Sequence, residues 1–134
     1  MESIKKFLNQ PDLGLLLFRV FIGAAMAFAH GLGKLPPSEQ LVQGVTAMGF
    51  PQPELFAWAA SLSEFAGGLL IVIGLLTRPA ALFLGVTMFV AAFVAHANDT
   101  FQQKEMALLY LFSCVLLLFC GPGKFSADRL IRRV

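Results

Sequence analysis

The stretch EFAGGLLIVIGLLTR, Glu64 to Arg78, decides the architecture of this chain. A carboxylate opens it, an arginine closes it, and everything between is apolar, glycine or threonine. Taken with the apolar residues from Leu55 onward, the run is long enough as a helix, at about 1.5 Å per residue, to cross a bilayer. Glu64 is thereby placed at membrane depth, where an ionisable side chain is costly and usually tied to a function or to a partner. The remaining chain reads as a scaffold around that carboxylate.

Composition supports this placement. Of 134 residues, 57% are hydrophobic and 13% charged. A soluble domain carries about 25% charged residues, so the surface here is far too apolar for water. The length accommodates four spans of about 20 residues with short connections and no separate soluble domain, a single membrane domain over residues 1–134. The net charge of +2 is modest, so no nucleic-acid partner is indicated, and the lipid bilayer is the first partner. The two N-terminal lysines before an apolar run resemble the opening of a signal peptide, but the run from Leu13 to Ala29 is too long and contains Arg19. A retained first helix is the better reading.

The expected fold is all-α, an antiparallel bundle of four transmembrane helices. The spans are set at residues 13–30, 54–76, 80–97 and 106–120. Pro36 and Pro37 break the first, and a short surface helix from Ser38 to Met48 fits the spacing of Leu41, Val42, Val45 and Met48 in the loop between spans 1 and 2. Thr77, Arg78 and Pro79 form the expected turn between spans 2 and 3, which forces those helices to run antiparallel. Lys5, Lys6, Arg78, Lys124, Arg129, Arg132 and Arg133 fall on the side of the termini, against Lys34 and Lys104 on the other. The positive-inside rule then puts both termini in the cytoplasm of a bacterial inner membrane.

Depth along each span can be counted from these ends. His30 closes span 1 and His96 closes span 3, each about 25 Å from the inner edge, with Glu64 at about 20 Å. Glu105 opens span 4 at the outer edge, and Lys34 lies just beyond His30. All four helices thus bring an ionisable group to the outer half of the membrane. Glu64, His30 and His96 are the candidate catalytic residues; Arg19, Lys34, Glu105 and Tyr110 are candidates for substrate binding. Arg19 shares a face of span 1 with His30, three turns away, and Gly23 leaves room there for close packing. It can either reach up to Glu64 or follow the tilt of helical side chains toward the inner headgroups. Each polar residue also has a purely structural reading: headgroup contact for the histidines, a helix-dipole partner for Glu105, a buried lock for Glu64.

Cys114 and Cys120 lie six residues apart on one helix, on different faces, and make no CxxC pair. No HxxxH or ExxH motif is present, so no metal site is expected, although two histidines and two carboxylates could in principle suit iron or zinc. Phosphate loops, nucleophile elbows and dinucleotide fingerprints are missing as well.

Several motifs together carry a resemblance: R-x3-G-x6-HGLGKL from Arg19, MGFP-x-P from Met48, SEFAGGLLIVIGLLTRPAAL from Ser63, the histidine ending span 3, E-x4-YL from Glu105, and GPGKFSADRLI from Gly121. In this ordered set the chain resembles the DoxX family of small four-helix membrane proteins over nearly its whole length. The resemblance implies the same bundle. It implies a link to redox chemistry, since the family includes subunits similar to a thiosulfate:quinone oxidoreductase and others tied to membrane thiol-oxidative-stress complexes. It also puts Arg19, His30, Lys34, Glu64, Arg78, His96 and Glu105 at motif positions.

The expected function is therefore a component of a quinone-linked or thiol- and sulfur-related oxidoreductase. A proton donor at membrane depth is what quinone reduction in lipid requires, and quinone is the one cofactor this chemistry suggests. The chain carries no flavin, haem or dithiol motif of its own, so electrons would come from a bound substrate or a redox partner protein. The alternatives are a non-enzymatic anchor or accessory subunit of a redox complex and a small proton-coupled carrier, which would call for a homo-oligomer.

Overall fold

A computed structural model describes residues 1–132; Arg133, counted above among the basic residues near the termini, lies outside them. Among the described residues there is helix and no strand. Helix α1 is Glu2–Leu8 and α2 is Pro11–Ala24, continuing as a π-helical turn, Ala25–Gly31, and a 3₁₀ turn, Leu32–Lys34. Then follow α3 (Glu39–Ala47), α4 (Pro53–Ile73), α5 (Thr77–Val90, extended by a π-helical turn Ala91–Ala95), α6 (Phe101–Cys120) and α7 (Ala127–Arg132). Four helical stretches are long and apolar enough to cross a membrane: Pro11–Lys34, Pro53–Ile73, Thr77–Ala95 and Phe101–Cys120. Their outer surface is lipid-like, with Phe21 73%, Phe83 68% and Phe119 82% exposed, an arrangement water would penalise and a bilayer does not.

The helix ends differ from the boundaries expected above for physical reasons. Span 2 stops at Ile73 rather than residue 76 because Gly74 adopts the left-handed conformation (φ 72°), a helix terminator that a Cβ would strain. Span 3 then begins at Thr77, with Pro79 in its first turn, where the missing N–H costs nothing. Span 4 starts five residues earlier than expected. Thr100 and Gln103 form a capping box there, each side chain bonding the other's backbone N–H. The short surface helix occurs at Glu39–Ala47, capped by the Ser38 hydroxyl on the Leu41 N–H.

Going round the bundle, α2 packs on α4, α4 on α5, and α5 on α6. The α2–α4 contact is backbone on backbone. A Cβ on Gly23 would lie 2.5 Å from the Gly68 carbonyl oxygen, and one on Gly68 would lie 2.7 Å from the Gly23 oxygen. A Cβ on Gly31 would collide with the backbone of Phe65 and Glu64. Gly23, Ala27 and Gly31 recur every four residues, the small-residue spacing that lets membrane helices approach closely. Gly31→Val is accordingly expected to push α2 away from α4 and lower stability by about 1–3 kcal/mol, as overpacking does; the melting temperature in detergent measures it. The core itself is filled by Met26, Ile71, Leu84, Met88, Tyr110, Cys114 and Leu117.

At the end of the bundle that holds both termini, polar side chains tie the last segment to the helices. The Asp128 carboxylate accepts the Leu76 N–H at 2.8 Å and the Thr77 N–H at 3.0 Å, so it caps α5. Asp12 accepts the Lys124 N–H at 3.0 Å, and Arg78 Nε donates to the Leu118 carbonyl at 3.0 Å. Partial burial pushes the Asp128 carboxyl up, but the two backbone N–H donors and the Arg132 charge outweigh it and hold the group below the usual carboxylate range. A carboxylate depressed in the folded state contributes stability in full above its unfolded value, about 3.9. That contribution fades as pH falls through the lower folded value. The acid-side loss of melting temperature below about pH 4 is therefore expected to be shallower in Asp128→Ala than in the wild type.

Candidate functional site

The buried face of α4 is Ala57, Ser61, Glu64, Gly68 and Ile71, residues that recur at helical spacing and turn to the inside of the bundle. Glu64 is the ionisable member, and its side chain is only 4% exposed. Both carboxylate oxygens are taken by one donor, Lys34 Nζ, at 2.9 and 2.8 Å. Lys34 itself is 41% exposed, so the pair runs from the buried interior to the surface at the loop end of the bundle.

Local backbone geometry brings Lys34 there. The first span does not end at His30 but winds on through the π turn and the 3₁₀ turn to Lys34. Gly31, without a Cβ, sits against the α4 backbone at Phe65 and Glu64; three residues later the lysine reaches the carboxylate. Wide i→i+5 turns of this kind recur at functional sites. They also alter the register expected between Arg19 and His30 on a regular helix. His30 is half-buried, and its ring meets the Tyr110 ring edge-on, with centroids 5.4 Å apart and planes at 79°. Tyr110, from α6, is 7% exposed, and His30 stands next to Gly31, which lies against the Glu64 backbone.

Of the residues proposed from sequence, four meet at this place: Lys34, Glu64, His30 and Tyr110. Three others do not join them. His96 is exposed and bonds through Nδ1 to Asp99 at 2.6 Å, within its own loop. Glu105 is exposed on the second turn of α6, since that helix starts at Phe101. Arg19 neither pairs with Glu64 nor reaches the headgroups. It is 1% exposed and points to the terminal end. Its Nε donates to the Ile71 carbonyl at 2.9 Å and Nη2 to the Val72 carbonyl at 3.1 Å. Nη1 donates to the carbonyls of Pro122 and Phe125. A guanidinium with its rigid fork of donors thus caps the C-terminal carbonyls of α4, where the helix dipole favours a cation, and anchors the Gly121–Phe125 turn.

Sequence reading missed the Lys34–Glu64 bond, because a loop lysine next to two prolines gave no reason to fold back into the bundle. The signal was Gly31, whose missing Cβ permits the close approach. Chemically, the exchangeable proton of the pair sits on the Lys34 ammonium, at its surface end, with the buried Glu64 carboxylate as its acceptor. The Tyr110 hydroxyl and the His30 ring nitrogens have no hydrogen-bond partner among the described residues, so both can still donate to a ligand. Among those residues, no three His, Cys, Asp or Glu side chains come together in a metal-like group. Cys114 is buried and Cys120 exposed, both unpaired thiols.

Comparison with known proteins agrees with this architecture. The family model for DoxX matches residues 14–97. Over 91% of this chain and 95% of the other, the sequence is 33% identical to "Inner membrane protein YqjF" of Escherichia coli. It is 30% identical to "Inner membrane protein YphA" of the same organism, over 96% and 99% of the two chains. It is 28% identical to "Putative oxidoreductase CatD" of Bacillus subtilis, over 87% and 86%. No solved structure matches. With four apolar spans, the Arg19-to-Lys34 motif and the Glu64 helix in one matched segment, the chain belongs to the DoxX family and is a multi-pass inner-membrane protein.

Proposed function

We propose that this chain is the membrane component of an oxidoreductase, acting on a quinone or on a thiol- or sulfur-containing substrate, with its site at Lys34, Glu64, His30 and Tyr110. The observation that carries this reading is the buried Glu64 carboxylate held by a half-exposed lysine, beside a tyrosine and a histidine with free hydrogen-bonding capacity. One relative bearing an oxidoreductase name supports it. The donor set suits a quinone ring. Tyr110 and His30 can each donate to a carbonyl oxygen, and their edge-on rings leave an aromatic-lined wall. A bound quinone would supply the two-electron acceptor. The electrons come from a partner redox protein or from a thiol substrate, and two protons accompany them. The chain's own part is to orient the ring and to supply protons, with Lys34 carrying them from the surface and Glu64 as the acceptor that leads them inward. By the charge bias between the two ends, the termini face the cytoplasm and the site lies in the outer half of the membrane.

The test is turnover of an added short-chain quinone by membranes holding equal amounts of wild type or Glu64→Gln, together with the proteins that co-purify with each. A loss of at least tenfold in the variant, with its partners retained, supports the reading. Equal turnover contradicts it. Loss of a co-purifying redox protein with no direct effect on chemistry favours the anchoring subunit, and loss of proton-driven uptake the carrier.

A further inference from the structure

The helices of the bundle do not close into a full ring. Helices α2, α4, α5 and α6 pack in series, but α6 makes no extended backbone contact with α2. Side chains span the gap instead, and the pair at the loop end is His30 against Tyr110. On the α2 side the π-helical turn Ala25–Gly31 turns Met26 into the core, with the small Ala25 packed against it, while Ala27 faces Gly68 of α4. On the α6 side, Ala107 lies one turn from Tyr110, again a small side chain. The Lys34–Glu64 bond lies beside the ring pair, since Gly31, the residue after His30, sits against the Glu64 backbone.

From this we infer that the seam between α2 and α6 is a lateral doorway from the hydrocarbon core to the Glu64 site, with the His30–Tyr110 ring pair as its door. The inference rests on the function proposed above and adds the route and the kind of molecule that takes it. Lys34 and Glu64 satisfy each other's charge, so the site as built offers an incoming molecule no net charge to pair with. What remains to read it is a phenol O–H and an imidazole, on two aromatic rings set edge to face. That favours an uncharged, flat molecule with carbonyl or hydroxyl oxygens, dissolved in the membrane rather than in water. The pair opens on the side of His30, which is half-buried, while Tyr110 stays in the core; the edge-on contact given up contributes about 0.5–1.5 kcal/mol beyond its buried area. By contrast, the α2–α4 contact on the other side of α2 is backbone on backbone at Gly23 and Gly68 and cannot part without losing the core. The competing route runs past Lys34 from the aqueous side, and a small anion would take that one.

The test uses the intact chain in lipid nanodiscs with radiolabelled decyl-benzoquinone as the probe, following its association rate and its affinity. Tyr110→Ala removes the door and the hydroxyl; association is expected to become at least threefold faster while affinity falls. Tyr110→Phe keeps the door and removes the hydroxyl. It should leave the association rate unchanged and weaken affinity about three- to tenfold, the usual worth of one neutral hydrogen bond. An unaltered melting temperature in Tyr110→Phe shows that the bundle is intact. If wild type binds the probe but neither variant changes rate or affinity, the doorway is wrong and the proposed function stands. If wild type retains no probe, both fall. If the rate responds to Lys34→Met and not to Tyr110→Ala, entry is from the aqueous side and the doorway is overturned.

Discussion

Arg19→Met is expected to destabilise the protein more than any other single substitution, by upwards of about 4 kcal/mol. The guanidinium is 1% exposed and donates to four backbone carbonyls, those of Ile71, Val72, Pro122 and Phe125. Methionine fills much of the same volume but donates nothing, so the buried Ile71 carbonyl and three part-buried carbonyls lose their partner. A buried acceptor left unsatisfied costs about 1–3 kcal/mol, and several are stranded together. The terminal segment Gly121–Phe125 should detach as well, because two of the four bonds hold it. Arg19→Lys fails almost as badly, since an ammonium has three donors on one point and cannot match the fork. Limited proteolysis reads this directly. Cleavage near Lys124 should appear in both variants at temperatures where the wild type resists, and a wild-type digestion pattern in Arg19→Lys would contradict the clamp.

The second large effect concerns the Lys34–Glu64 pair. Lys34→Met leaves a carboxylate that is 4% exposed with neither of its two bonds. Removing one partner of a buried pair costs about 3–5 kcal/mol; the lower end is expected here because Lys34 is partly in contact with the surroundings. Glu64→Gln alone leaves a lysine that can turn outward, and so should cost less. Combining the two is expected to recover most of the loss, with a coupling energy of about 2 kcal/mol, within the range found for residues in one network. A double-variant cycle by thermal unfolding in detergent measures this. Additive losses would mean that the two side chains do not act as a pair.

The membrane fold was legible because it rests on one-dimensional quantities, hydropathy and span length, that tertiary packing does not overrule. The helix ends were less so. Gly74, and the Thr100 and Gln103 capping box, are readable signals of a stop and a start, but the apolar character of Leu75, Leu76 and the residues around Phe101 masks them. The site was half legible. Glu64 stands out as a carboxylate in an apolar helix and His30 follows from depth, whereas Tyr110 is only one of the candidates for substrate binding. Lys34 was seen, but its bond to Glu64 depends on the π turn and on Gly31, and no depth count contains either. His96 was misplaced for a related reason. The residue lies at the right level, yet its neighbour Asp99 takes its ring, a contact set by loop conformation. Arg19 is the clearest case. Charge and depth alone suggest a partner of opposite sign, whereas the fold gives it helix-end carbonyls.

We propose that the buried Glu64, held by Lys34, is the place where a membrane-dissolved substrate is handled. The most direct measurement is to purify wild type and Glu64→Gln side by side in native lipid and identify by mass spectrometry every small molecule that stays bound. A near-stoichiometric ring compound or thiol-bearing compound is expected with the wild type, lost from a Glu64→Gln protein that melts normally. The same small molecules in equal amount on both, or lipid alone on both, would contradict it.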